Sequence, residues 1–361
     1  MRPFGDLPGD DPERDAKRAA EEDRQRAEER RETTAALEAA GIELDPTPPG
    51  THRHGDLVHP SDHVHPHVHA EAGQPPVTGI VGAGAVGTAL GVALSRAGWP
   101  IHAVASRDAG RRERFRGLLN VERVFVDAQA LVEEVELIIL AVPDDALAPL
   151  AGTTRMYGGQ AMVHTSGALG AEVLEPAQAA GTQIGSFHPL VAFADTERAV
   201  AALHGATVAI EGDEQLLALL AEMAERIGAR AVRLSPGSKP AYHAAAVLAA
   251  GGFVALLDAI AELGRVAGLD EAGALAIYGP LIEGTLGNAR ALGIRAALTG
   301  PITRGDDGTL RSHLAALVAH APGVLELYRA AAEREIRLAE ERGTLTPAAA
   351  ATLRSSLASV E

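Results

Sequence analysis

Between residues 77 and 187 short apolar runs alternate with helix-length segments, at 77–81, 100–105, 122–126, 136–142, 160–164 and 182–187. Runs this short, apolar at consecutive positions, predict strands buried on both faces. The spacers predict βαβ units and therefore a parallel sheet. Segments 206–211 (ATVAIE) and 229–234 (ARAVRL) predict two more strands around a helix at 213–227. From Pro240 the period lengthens, and helices are expected over roughly 239–267, 270–293, 306–320, 322–343 and 346–358. The pattern thus divides the chain into a tail (1–75), an α/β parallel sheet domain (76–237) and an all-α domain (238–361). No internal repeat is visible.

Composition changes the picture at the N-terminus. Residues 1–74 carry 17 acidic against 9 basic side chains, half of the chain's net charge of −16. They offer no wide apolar stripe, so disorder with a transient helix over 11–40 is expected. The stretch is also rich in histidine: His52, His54, His59, His63, His65, His67 and His69. Neutral imidazoles bind zinc, nickel or copper, and His63, His65, His67 and His69 are the candidates for weak binding. No carboxylate or cysteine fixes a geometry, so a soluble linker with incidental metal affinity is the competing reading.

The acidic balance argues against broad nucleic-acid or anionic-membrane binding, which needs basic surface. Cysteine is absent, which excludes disulfides, thiolate zinc sites and cysteine nucleophiles. No uninterrupted apolar run of about 18 residues with membrane-like flanks occurs, and the acidic start is unlike a signal peptide. A cytoplasmic protein acting on a small molecule is the expectation.

The segment GIVGAGAVGTALGVAL, residues 79–94, follows an apolar strand and opens a small-residue helix. Gly82, Gly84 and Gly87 take the GxGxxG spacing: one for the tight turn, one for backbone approach to a pyrophosphate, one for helix–strand packing. The amides of Ala85 and Val86 sit at the helix start, where donors and the positive dipole end favour phosphate. The second strand ends in Ser106 and Arg107, whose hydroxyl and guanidinium suit a 2′-phosphate and favour NADP(H); Asp108 leaves NAD open. Val142 and Pro143 end a later strand and are expected beside the nicotinamide-side ribose. Thr165 and Ser166 follow the next one. Their hydroxyls reach the nicotinamide amide or substrate, or Ser166 caps a helix.

Hydride transfer to a carbonyl also needs a proton donor, a partner for the oxyanion and a substrate anchor. Lys239 opens the first long helix and His243 follows one turn later, before a run of small apolar residues. A lysine turned into so dry a cleft loses proton affinity, which suits it to proton donation. His188 comes directly after a strand and is either catalytic or a loop-closing histidine. Ser166, Asn288, Arg304 and Asp306 are the substrate-binding candidates, with Arg304 assigned to a carboxylate. The Arg304–Asp306 pair reads equally as a salt bridge that staples its loop.

Together GIVGAGAVGTAL, LAVPDDAL, HTSGALG, GSFHPL, K-x-x-Y-H-A-A-A-V and LTGPITRGD resemble a bacterial family of Rossmann-like oxidoreductases. The resemblance covers about residues 76–345, and the last three motifs are specific to that family. It implies a C-terminal domain like that of 6-phosphogluconate dehydrogenase, an architecture similar to pyrroline-5-carboxylate reductase, 3-hydroxyisobutyrate dehydrogenase and prephenate dehydrogenase. It implies a homodimer as well. Some members serve as an alternative ketopantoate reductase, so the resemblance implies NADPH-dependent reduction of 2-dehydropantoate to pantoate in pantothenate synthesis. Lys239 would match the helix-borne acid of the wider superfamily, while Gly251-Gly252 stands where relatives often carry asparagine. Two other expectations remain open: an imine reductase of the pyrroline-5-carboxylate type, and a non-catalytic NADP(H)- or metal-sensing protein.

Overall fold

The computed structural model describes residues 51–54, 57–60, 75–121, 123–178, 182–235 and 237–359. The helix at 11–40, the candidate ligands His63, His65, His67 and His69 and most of the tail expected to be disordered lie outside them, but two short strands at 51–54 and 57–60 fall within that tail. Two compact units divide the chain, one ending at Ala244 and one running from Ala245. The short strands Thr51–His54 and Leu57–Pro60 pair antiparallel ahead of the sheet proper.

The sheet unit holds eight further strands: β1 (Thr78–Val81), β2 (Ile101–Ala105), β3 (Arg123–Phe125), β4 (Leu137–Leu140), β5 (Ala161–His164), β6 (Gln183–Pro189), β7 (Thr207–Glu211) and β8 (Arg230–Arg233). They lie in the order β3-β2-β1-β4-β5-β6-β7-β8. The first six follow the dinucleotide-binding arrangement, reversing direction beside β1. Helices α1 (Ala85–Arg96), α2 (Ala109–Leu119), α3 (Ala128–Val132), α4 (Asp144–Thr153), α5 (Glu175–Gln178), α6 (Thr196–Leu203) and α7 (Glu214–Arg226) connect the strands.

β4 shows why such runs are apolar throughout. Leu137 and Ile139 enter the core on one face of the sheet, Ile138 and Leu140 the core on the other. That is the two-residue alternation of a strand covered on both sides. Small residues on α1 serve close packing: a Cβ at Gly91 would stand 2.8 Å from the Phe115 ring. Trp99 is buried nearby and its indole N–H donates to the Thr78 hydroxyl at 2.9 Å. Aspartates cap α2, α3, α6 and α7, each accepting backbone N–H bonds from the first turn. Helices α1 and α4 start at Gly84 and Pro143 with no side-chain cap.

The sheet is parallel, as expected, at every pair but one. β6 pairs parallel with β5 through Gln183–Ser186, then overshoots it, and Ser186–Pro189 pairs antiparallel with β7. The chain leaves β6 and enters β7 at one edge, where the Leu190 N–H donates to the Thr207 carbonyl at 2.8 Å. A fully buried strand carries the same apolar residues whichever way it runs; its connection decides the direction.

The second unit is helical, and the helix that leads into it begins in the first unit. α8 (Lys239–Val247) continues through a π-helical turn, Leu248–Gly252, into α9 (Phe253–Val266). Then come α10 (Glu271–Leu292), α11 (Ile294–Ala297), α12 (Asp307–His320), α13 (Leu325–Arg342) and α14 (Pro347–Ala358). Leu310, Leu314, Leu317, Ile336 and Leu353 of α12–α14 form its core with Ile302. α9 and α10 instead leave Val254, Ile277 and Leu281 more than half exposed. The continuous helix Lys239–Val266 contains a stretch long and apolar enough to cross a bilayer by length and composition alone. The sequence reading found no such segment because Asp258 interrupts the run, which an average over a window tolerates.

Candidate active site

The turn after β1 is built for close backbone approach. Gly82 has φ +108°, and a Cβ there would lie 2.1 Å from the Ala141 carbonyl oxygen. A Cβ at Gly87 would lie 2.0 Å from the Gly82 carbonyl oxygen. At Gly84 it would face open space, its nearest neighbour being Arg111 Nη1 at 3.9 Å. The α1 amides, Ala85 and Val86 among them, therefore begin an uncapped helix beside an open approach, which fits a pyrophosphate.

At the end of β2, Arg107 is exposed and the Ser106 hydroxyl accepts the Asp108 N–H at 3.4 Å. The Asp108 carboxylate accepts the Arg111 N–H at 2.9 Å and caps α2. The residue that kept NAD open is thus occupied with a helix cap. Arg112 donates to the Ser106 carbonyl. Sequence reasoning missed Arg111, although a second arginine four residues after Arg107 was the available signal.

Val142 is half-buried, and Pro143 is the residue at which α4 starts. The Thr165 hydroxyl donates to the Leu140 carbonyl at 3.4 Å. Ser166 Oγ accepts the N–H groups of Ala168 (3.2 Å) and Leu169 (3.1 Å), closing the loop after β5. His164 is fully buried; its Nε2–H donates to the Gly170 carbonyl at 3.0 Å, and its Nδ1 accepts the Ser166 N–H at 3.2 Å. Burial, then the Lys239 charge, pushes its pKa down to about 4.

His243 and His188 come together at Gly167, and the Lys239 charge acts on His188. Lys239 is 2% exposed and donates to Ser186 Oγ at 2.6 Å and to the Glu211 carboxylate at 2.8 Å. Burial lowers its pKa and Glu211 opposes that shift. A Cβ at Gly167 would lie 2.3 Å from His243 Nδ1 and 2.7 Å from His188 Nε2. The His188 ring meets Tyr242 and His243 edge-on, each with centroids 5.8 Å apart. Burial first, then Lys239 and His243, pushes the His188 pKa down to about 4, so it is neutral at pH 7.

Three buried polar atoms in this cluster have no hydrogen-bond partner in the described protein: His188 Nδ1, His243 Nδ1 and the Tyr242 hydroxyl. Each such group costs roughly 1–3 kcal/mol unless something bonds to it, so three of them on neighbouring side chains mark a place for a ligand or ordered water. Ser186, Glu211 and Tyr242 were not foreseen. Tyr242 stands in the K-x-x-Y-H motif, and Glu211 is the polar end of an otherwise apolar strand, but neither signal names a partner.

The remaining candidates belong to the helical unit. Asn288 and Arg304 are exposed. Asp306 accepts the Thr309 N–H at 3.0 Å and the Thr309 hydroxyl at 2.7 Å, so its carboxylate caps α12. Those bonds lower its pKa. Among the described residues no group of three or more His, Cys, Asp or Glu is placed to hold a metal ion.

A Rossmann-like domain model matches residues 65–189, and a model described only as a domain of unknown function, DUF2520, matches residues 206–335. No curated protein matches the chain. Among solved structures, a Bacteroides fragilis protein assigned as an NADP oxidoreductase is 25% identical at a TM-score of 0.60, covering 73% of this chain and 98% of its own. A pyrroline-5-carboxylate reductase of Streptococcus pyogenes is 17% identical with TM-score 0.52, covering 74% and 99%. A reductive aminase of Aspergillus terreus, in complex with NADPH and ethyl levulinate, is 18% identical with TM-score 0.56, covering 78% and 99%. The last two likenesses show shared fold: a Rossmann-type sheet followed by a helical region.

Proposed function

We propose that the chain is an NADP(H)-dependent reductase of a small carbonyl compound, with 2-dehydropantoate, reduced to pantoate in pantothenate synthesis, as the leading substrate. The observation that carries the proposal is that the edge-on rings of His188, Tyr242 and His243 hold three buried polar atoms without a partner, His188 Nδ1, His243 Nδ1 and the Tyr242 hydroxyl, beside the loop that follows β5. The open Gly84 turn, the occupied Asp108 and the arginines at 107, 111 and 112 suit a 2′-phosphorylated dinucleotide. The NADP oxidoreductase assignment of the Bacteroides relative and the NADPH bound to the fungal reductive aminase support the same cofactor.

Bound NADPH supplies a hydride to the carbonyl carbon. The C=O π bond breaks, and the oxygen takes up one proton, giving an alcohol. In this reading His243 holds that proton, Tyr242 donates a hydrogen bond to the developing oxyanion, and neutral His188 fixes the substrate's orientation. NADPH oxidation with 2-dehydropantoate is expected for the native chain, falling at least about a hundredfold in kcat for His243→Ala, a typical general-acid contribution. Native protein without turnover, or a fully active variant, overturns the assignment.

Arg107→Ala together with Arg111→Ala is expected to weaken NADPH binding by about tenfold or more, as loss of charge-assisted phosphate contacts does, and to leave NADH binding within about twofold. Fluorescence titration with both nucleotides measures it. Equal weakening of both would show that the arginines do not read the 2′-phosphate.

A second reading, reduction of an imine, has its own observation. Lys239, the cation acting on His188, is paired with Glu211, while the carboxylates of Asp144 and Glu172 also act on Lys239. Such a field suits a protonated imine. Kinetics with 2-dehydropantoate against a cyclic imine decides between the two.

A further inference from the structure

Lys239 opens α8, where a cation opposes the helix dipole, and burying it removes its hydration. A charge kept in so unfavourable a place calls for a role. Its bonds form a closed ring: Lys239 donates to Ser186 Oγ (2.6 Å) and to Glu211 Oε2 (2.8 Å), and Ser186 Oγ donates to the same Glu211 oxygen (2.8 Å). Ser186 and Glu211 stand directly opposite in the β6–β7 register, and Ser186 is opposite His164 on its other side. The ring therefore sits where β6 leaves its parallel neighbour and joins the antiparallel one.

His188 is two residues further along β6, so it shares a face of the sheet with Ser186. Tyr242 and His243 follow Lys239 by three and four residues, so the three share a face of α8. Lys239 thus fastens α8 to β6 through Ser186 and to β7 through Glu211, just before the point where Tyr242 and His243 meet His188.

We propose that Lys239, Glu211 and Ser186 form a positioning triad that fixes the overshoot of β6 and the start of α8, and so the mutual aim of His188 and His243, while Lys239 itself exchanges no proton with substrate. A bonded ammonium beside a carboxylate is a poor acid at the substrate and a good clamp for the two elements it joins. This departs from the expectation drawn from the sequence, in which the lysine is the acid. It rests on the proposed reading of the Gly167 cluster as the reaction site.

The charges around His188 give the triad a second signature. They are Lys239 and His243 on α8 and Asp144 at the start of α4; Glu211 on β7 and Glu172, after the loop that follows β5, act on Lys239. Removing the lysine charge raises the proton affinity of His188, whose depression by burial persists.

The test has one arm that needs no turnover. Imidazole NMR titration of the full-length protein is expected to place the His188 midpoint higher in Lys239→Met than in the native chain. An unchanged midpoint overturns the proposal whether or not any substrate is reduced. In the kinetic arm, Lys239→Met and Glu211→Gln are expected to lower kcat by similar factors, about ten- to a hundredfold, with KM within about threefold. The double variant Lys239→Met/Glu211→Leu should be no worse than either single, as expected for residues acting as a unit. Abolished turnover in Lys239→Met alone, restored by added alkylamine, would make the lysine the proton donor and end the proposal. Should Lys239→Met fail to fold, Ser186→Ala takes its place: a lowered kcat with unchanged KM is expected, and an unchanged kcat overturns it. If the native chain reduces nothing, the proposed function fails while the NMR arm still judges the triad.

Discussion

Gly82→Ala is expected to destabilise the sheet unit by about 3 kcal/mol or more and to abolish dinucleotide binding. The residue has φ +108°, where a side chain is strained by at least about 1–2 kcal/mol. The added methyl would also stand 2.1 Å from the Ala141 carbonyl oxygen. Backbone cannot rotate aside as a side chain does, so β1 and the end of β4 must separate, at a further cost of about 1–3 kcal/mol. Gly84→Ala is the control. Its methyl meets open space, so stability should stay within about 1 kcal/mol while NADPH affinity falls. Urea unfolding and nucleotide titration separate the two effects. Equal stability of Gly82→Ala and the native protein would refute the turn geometry.

Mild acid is expected to destabilise the same unit before its carboxylates titrate. His164 and His188 both fall from the ordinary 6.5 to about 4, in each case first through burial. Between those values the unfolded chain binds more protons than the folded one, so stability is complete above about pH 7 and declines as pH drops toward 4. Each shift corresponds to about 3 kcal/mol in full and about 2 kcal/mol by pH 5. Unfolding free energies at pH 7.5 and pH 5 should therefore differ by about 4 kcal/mol, and His164→Gln should remove roughly half of that difference. A flat profile would mean that these imidazoles reach solvent.

Local signals were legible in the sequence. The apolar runs located β1 to β8 because strands covered on both faces admit few polar residues, as Leu137–Leu140 illustrates. The glycine spacing located a turn that only glycine can make. The helix expected over 213–227 forms as α7, where the Asp213 side chain accepts the N–H of Leu216. Partners distant along the chain were not legible. Lys239 meets Ser186 and Glu211, 53 and 28 positions away, through strand register, and no composition or periodicity encodes register between strands. The reversed direction of β7 escaped for the same reason. The π-helical turn at Leu248–Gly252 escaped because its residues keep helical character while one hydrogen-bond step lengthens. His188, Tyr242 and His243 looked like separate histidine and tyrosine positions until β6 and α8 placed them together.

The chain's single tryptophan gives the molecule a private reporter. The Trp99 indole lies in the sheet core, bonded to the first residue of β1, so its emission follows the melting of that unit alone. Far-ultraviolet dichroism is dominated by helices, many of them beyond Ala245. Recording both during one denaturant series would show whether the halves come apart as one cooperative body or in succession, with no label attached.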